Sequence, residues 1–134
     1  MKCKYCEKVF EENNSLVLDI FHHIDAHHYG SLSDDEKIMH DVRKKMISGE
    51  VAELSSGNQI RDFSNVSDVA EKIINVALGS QTGPINICTG IPITIRQLVE
   101  KIAGEYGKIE LLKFGARPDN LTDPPCVVGI SNLI

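Results

Sequence analysis

Residues 57–73, GNQIRDFSNVSDVAEKI, constrain the fold of this chain more than any other stretch. Residues 59–63 read as a short strand, entered through the turn residues Ser55-Ser-Gly-Asn58. Three residues later the pattern changes. Apolar side chains recur at 66, 69, 70, 73, 74 and 77, the i, i+3, i+4, i+7 spacing of one helical face, and Gly79 closes the run. A strand that passes so abruptly into an amphipathic helix calls for an α/β arrangement, because each element needs the other to cover its apolar side.

The flanking sequence repeats the alternation. Residues 4–13 read as a short helix with Tyr5, Val9 and Phe10 on one side. Residues 16–21, LVLDIF, read as a strand apolar enough to be buried on both faces, followed by an irregular polar stretch to residue 32. Ser33 and Glu36 form a capping box that opens a helix to about Ser48, with Ile38, Met39, Val42 and Met46 inward and Gly49 as terminator. Residues 51–54, 85–88 and 109–112 read as further strands. Thr94 and Gln97 form a second capping box, whose helix turns Ile95, Leu98, Val99, Ile102 and Ala103 to one side and ends at Gly104 and Gly107. The tail from Gly115 is Pro-rich and irregular, with residues 126–130 extended.

A chain of 134 residues fits one domain, and 42% hydrophobic with 25% charged residues excludes a disordered segment. A net charge of -5 argues against a nucleic-acid partner. No apolar run approaches the roughly 18 residues of a membrane span. The first residues, MKCKYCEKVF, carry no signal-peptide apolar region, so four cysteines read as reduced thiols of a cytoplasmic protein.

Three motifs carry a resemblance. GNQIRDFSNVSDVAEKI resembles an Arg-Asp-Phe-x-x-Val-x-Asp signature, GPINICTGIPITIRQLVEKIA an Asn-Ile-Gly-x-Gly strand with its capped helix, and GARPDNLTD an Arg-Pro loop. All three are found, in this order, in the substrate half of NAD-dependent sugar-nucleotide epimerases and dehydratases, the extended short-chain dehydrogenase/reductase family. The likeness is best over residues 49–132. Residues 1–32 diverge: Asp19 stands where an Arg is expected, and Tyr29-Gly30 lacks the Pro that follows in the family. The resemblance implies a partial Rossmann-type, substrate-domain portion with mixed short strands and three or more helices, forming one domain over residues 1–134. It implies a nucleotide-sugar as ligand, with Arg61 and Arg117 at its diphosphate. A planar fork of donors suits that group. Asp62 and Phe63 read as structural, the Asp as a local acceptor and the Phe as core, and Asp68 as a first-turn acid on its helix.

NAD belongs to the intact family. This sequence has no glycine-rich strand-turn-helix fingerprint to seat a pyrophosphate. Its tyrosines, Tyr5, Tyr29 and Tyr106, are followed at i+4 by Val9, Ser33 and Glu110, not by Lys. No catalytic residue is therefore assigned, NAD binding by this chain alone is not expected, and no Ser-His-Asp arrangement is supported. The expectation is a nucleotide-sugar-binding portion that is not catalytic alone. It would associate with a cofactor-domain chain or with itself.

One constellation falls outside the resemblance. Cys3-x-x-Cys6 followed by His22, His23, His27 and His28 has the ligand types of a zinc site, and Cys3, Cys6, His23 and His27 are the expected set. It supports a rival reading, a zinc-stabilised interaction module. A gene fragment with no function is the third.

Overall fold

In the computed structural model the described residues are Cys3, residues 6–10 and residues 16–133. Among them, four α-helices and five two-residue strands make a mixed α/β fold, as the alternation implies. The helix expected over residues 4–13 lies largely outside the described residues, and residues 6–10 are not helical.

The LVLDIF stretch is a correction: it is no strand but the start of helix α1, Leu16–His27, which runs on through residues expected to be irregular. A short apolar run does not distinguish a strand from a buried helical turn. The rest of this one supplies Ile20 and Ile24, half-buried four residues apart, with His22 and Ala26 exposed between and beyond them. Asp19 in the first turn and His27 in the last also complement the helix dipole.

The chain divides into two compact units. The first comprises Met1–Leu54 and Val99–Lys113. Here α1 packs on α2, Asp34–Ser48. The expected capping box is formed: Glu36 N donates to Ser33 Oγ at 3.3 Å and Ser33 N to Glu36 Oε2 at 2.9 Å. Gly49 ends the helix in the left-handed region at φ 72°, which any other residue would enter at a cost. Strand β1, Ala52–Glu53, pairs in parallel with β4, Leu112–Lys113. Of the strand expected over 109–112, only Leu112 pairs; Ile109–Leu111 is a 3-10 turn. Val42, Met46, Ala52, Val99, Ile102 and Ala103 are the buried centre of this unit.

The second unit comprises Ser55–Leu98 and Phe114–Ile134. Strand β2, Ile60–Arg61, lies between β3, Ile93–Thr94, antiparallel to it, and β5, Cys126–Val127, parallel to it. Gly57 makes the turn into β2 at φ 71°, and an added Cβ would stand 3.0 Å from Arg96 N, so both conformation and space require glycine. Helix α3, Val66–Leu78, is capped by Asn65, whose side chain accepts from Ser67 N at 2.8 Å. Its apolar stripe forms as read but does not enter a core. Ile73 and Ile74 are 52% and 56% exposed, and Val66 and Leu78 more so. Helix α4, Ile95–Glu105, begins in this unit at the Thr94–Gln97 box, with Gln97 N donating to Thr94 Oγ1 at 3.1 Å.

Residues 85–88 correct another expectation, for they join no ladder. Side chains hold this segment instead. Asn86 N donates to Asn132 Oδ1 at 2.8 Å, Asn86 Nδ2 to Ile130 O at 2.9 Å, and Asn132 Nδ2 to Pro84 O at 2.9 Å. Two asparagines thus replace a strand partner.

Candidate functional site

The Arg-Asp-Phe motif lies at the end of β2, and the side chains of its first two residues each make several hydrogen bonds. Only 11% of the Arg61 side chain is exposed. Its Nη2 meets Asp123 Oδ2 at 2.7 Å, and its Nη1 donates to Pro124 O at 2.9 Å and Ile60 O at 2.8 Å. The fork thus clamps the far end of the Arg-Pro loop to the strand. The near end is held as well. Gly115 N donates to Ser55 O at 3.1 Å, Ser56 N to Asp119 Oδ1 at 2.8 Å, and the Arg96 guanidinium lies 3.9 Å over the Phe114 ring. The Ser56 contacts hold the Asp119 carboxyl below its ordinary range. Arg117, exposed, stands on this doubly anchored loop. Asp119 and Asp123 were not singled out by the sequence, which carries no signal that two loop acids would be spent on positioning.

Asp62 accepts four hydrogen bonds. Oδ1 takes Thr89 N at 3.1 Å and the Thr89 hydroxyl, while Oδ2 takes Gly90 N at 2.8 Å and Gly129 N at 3.3 Å. The Thr89 hydroxyl, first among these, holds the carboxyl below the usual carboxylate range, with the backbone donors adding to it against a smaller push from burial. The acceptor role read from sequence is therefore not local. One side chain ties β2 to two segments distant in sequence.

A cavity of about 490 Å³ opens near the C-terminal end of α3, lined by Lys72, Asn75, Val76, Gln81 and Leu133 among others. Lys72 is already engaged with Cys88 O at 2.6 Å. A helix C-terminus presents carbonyl oxygens and the negative end of the dipole, which disfavours a diphosphate there.

Among the described residues of the first unit, two clusters of polar side chains stand out. Cys3, Cys6, His23 and His28 each offer a ligand atom, and these four atoms lie within 4.8 Å of one another. His27 stands outside that group, its ring 4.9 Å from that of His23. Burial first, and then the neighbouring imidazoles of His27 and His28, push the His23 pKa down. In the second cluster, His40 Nε2 meets Asp25 Oδ1 at 2.9 Å and the Lys44 ammonium meets Asp25 Oδ2. Burial pushes the Asp25 carboxyl up, but Lys44 and His40 together outweigh it and hold the group below its ordinary value. The Phe21 ring lies tilted against the His40 ring at 4.7 Å between centroids, the Tyr29 ring meets it edge-to-face at 5.9 Å, and the Tyr29 hydroxyl donates to Asp41 Oδ2 at 2.7 Å. This network joins α1 to α2. The sequence hid it, since Asp25 and His40 lie on what read as an irregular stretch and as the polar side of a helix.

The model of the NAD dependent epimerase/dehydratase family matches residues 4–88, which takes in the N-terminal segment as well as the Arg61–Asp62 motif and stops short of Arg117. A GDP-L-fucose synthase-like protein of Oryza sativa subsp. japonica is 32% identical over 77 residues. Those residues are 55% of this chain and 22% of that relative, so the match spans about a fifth of the relative's length. With the family model covering well over half of the residues on a mixed α/β fold, this chain belongs to the NAD dependent epimerase/dehydratase family.

Proposed function

We propose that the chain supplies the nucleotide-sugar contacts of an epimerase or dehydratase, and that hydride transfer requires a glycine-rich cofactor segment and a Tyr-Lys pair that this sequence does not contain. The observation that supports this reading is the doubly anchored Arg-Pro loop. Arg61 grips Asp123 and Pro124, Asp119 takes Ser56 N, and Arg117 is left exposed between them. A guanidinium on a fixed loop meets a diphosphate without first losing loop entropy. Arg117 makes the direct contact in this reading. Arg61, its charge matched by Asp123, holds the loop. The rice relative's name puts a GDP-sugar ahead of UDP- and dTDP-sugars. A cofactor-domain chain or a second copy of this chain is the proposed cover for the apolar face of α3.

The test is calorimetry with GDP-L-fucose, UDP-glucose and dTDP-glucose. Arg117→Ala is expected to weaken binding by about 1.5–3 kcal/mol, the worth of a charge-assisted contact. Arg117→Lys should recover only part, because a point charge cannot make a bidentate contact. Equal binding by parent and Arg117→Ala removes the assignment.

A further inference from the structure

The cluster at Cys3, Cys6, His23 and His28 has no part in the nucleotide-sugar reading. The family resemblance does not account for it. Its residue types and order, Cys-x-x-Cys and then His-x-x-x-x-His, have zinc-ligand spacing. Geometry adds what spacing cannot. Zn–S bonds of about 2.3 Å and Zn–N bonds of about 2.0–2.1 Å in a tetrahedron place sulfur and nitrogen about 3.6 Å apart and two nitrogens about 3.3 Å apart. In the structure Cys6 Sγ lies 3.4 Å from His23 Nε2, and His23 Nε2 lies 3.2 Å from His28 Nε2. Cys3 completes a set in which no two ligand atoms are more than 4.8 Å apart. Two edges thus already have tetrahedral lengths, and both imidazoles contribute the same ring nitrogen, Nε2, to them.

The supporting contacts are those of a coordination site. Lys8 N donates to Cys6 Sγ at 3.5 Å, and Cys3 N donates to Lys8 O at 2.8 Å, so Lys8 holds both cysteines through its backbone. The buried Phe10 ring meets the edge of His23 at 5.3 Å between centroids and fixes the plane of that imidazole. The choice of His28 over His27 follows from the end of α1. Position 27, four after His23, is the last helical residue, whereas His28 leaves the helix at φ -130°, ψ -9° and swings its ring back towards His23.

We infer that Cys3, Cys6, His23 and His28 bind one zinc ion in tetrahedral coordination, fastening the N-terminal segment to α1. Four protein ligands close the coordination shell, so the ion is structural and leaves no position for a reacting water.

The test uses the full chain, without a histidine tag, purified under reducing conditions and titrated with Zn²⁺ and with Co²⁺. One equivalent of zinc is expected. The cobalt form should show visible d–d bands of tetrahedral intensity with thiolate-to-metal charge transfer in the near ultraviolet. His28→Ala and Cys6→Ser should each lower zinc affinity at least tenfold and weaken the visible bands, while His27→Ala should leave both unchanged. If Cys6→Ser does not fold, the parent's cobalt spectrum and the His27→Ala against His28→Ala comparison still decide. Less than half an equivalent of bound zinc, an octahedral cobalt spectrum, or a His27→Ala loss equal to that of His28→Ala overturns the inference.

Discussion

Replacing Asp62 by Asn is the sharpest test of how the second unit holds together. The carboxylate accepts from Thr89 N and the Thr89 hydroxyl on Oδ1 and from Gly90 N and Gly129 N on Oδ2. Asparagine has the same shape but one acceptor oxygen. Whichever way it turns, its NH₂ group faces two donors. Bonds to a charged acceptor are worth about 1.5–3 kcal/mol each and neutral ones about 1 kcal/mol. The substitution therefore forfeits two strong bonds and weakens two more. Partial solvent exposure returns some of this, and a net loss of about 2–4 kcal/mol is expected, a large share of a typical 5–15 kcal/mol. Urea unfolding should show it as a lower midpoint at an unchanged m-value. Acid supplies an independent readout. The folded carboxyl titrates below its unfolded value, so between the two the unfolded chain binds more protons and stability rises with pH. The parent should hold this contribution above the ordinary carboxylate range and lose it as pH falls through the depressed value. Asp62→Asn should lack that part of the acid limb. A midpoint within about 0.5 kcal/mol of the parent, with superimposable acid limbs, would refute the reasoning.

Gly129→Ala would place its Cβ 2.4 Å from Cys88 Cβ and 2.6 Å from Cys88 Sγ, and should destabilise by at least about 1–3 kcal/mol. Cys88→Gly in the same chain should restore part of that in a double-mutant cycle, and additive losses would count against the clash. Asp25→Ala strips the buried His40 of its carboxylate and should cost about 1–3 kcal/mol by thermal unfolding, whereas a neutral outcome would mean water replaces the acceptor. The bare face of α3 should drive association: light scattering is expected to give a mass above 14.8 kDa for the parent and a shift to monomer for Ile73→Asp/Ile74→Asp. A parent that stays monomeric at hundreds of micromolar defeats that expectation.

Helices were legible where local chemistry is sufficient. Ser33–Glu36, Thr94–Gln97 and the stripe of α3 are patterns of partners three or four residues apart, and each lies on a helix in its expected place. LVLDIF was misread because a six-residue apolar run has no period long enough to separate 2.0 from 3.6. Residues 85–88 were misread because alternation marks an extended segment without naming its partner, and here the side chains of Asn86 and Asn132 hold it in place of a ladder. The ties of Arg61 to Asp123 and Asp62 to Gly129 span more than sixty positions, and no local pattern encodes such pairings. The composition of the Cys/His cluster was visible, but the way the last turn of α1 releases His28 was not.

Every strand of the second unit is two residues long, so its ladders supply few bonds. A sheet of ordinary length spreads its cohesion over many interchangeable amides, and no single residue is decisive. Here a handful of individual pins, the side chains of Arg61, Asp62, Asn86 and Asn132, fasten segments that the backbone alone does not. Native-state hydrogen exchange should therefore open this unit in separate patches, one for each pin, in place of one sheet-wide event. Tolerance to substitution should be inverted as well: apolar positions on the bare helix face accept change more readily than these four polar ones.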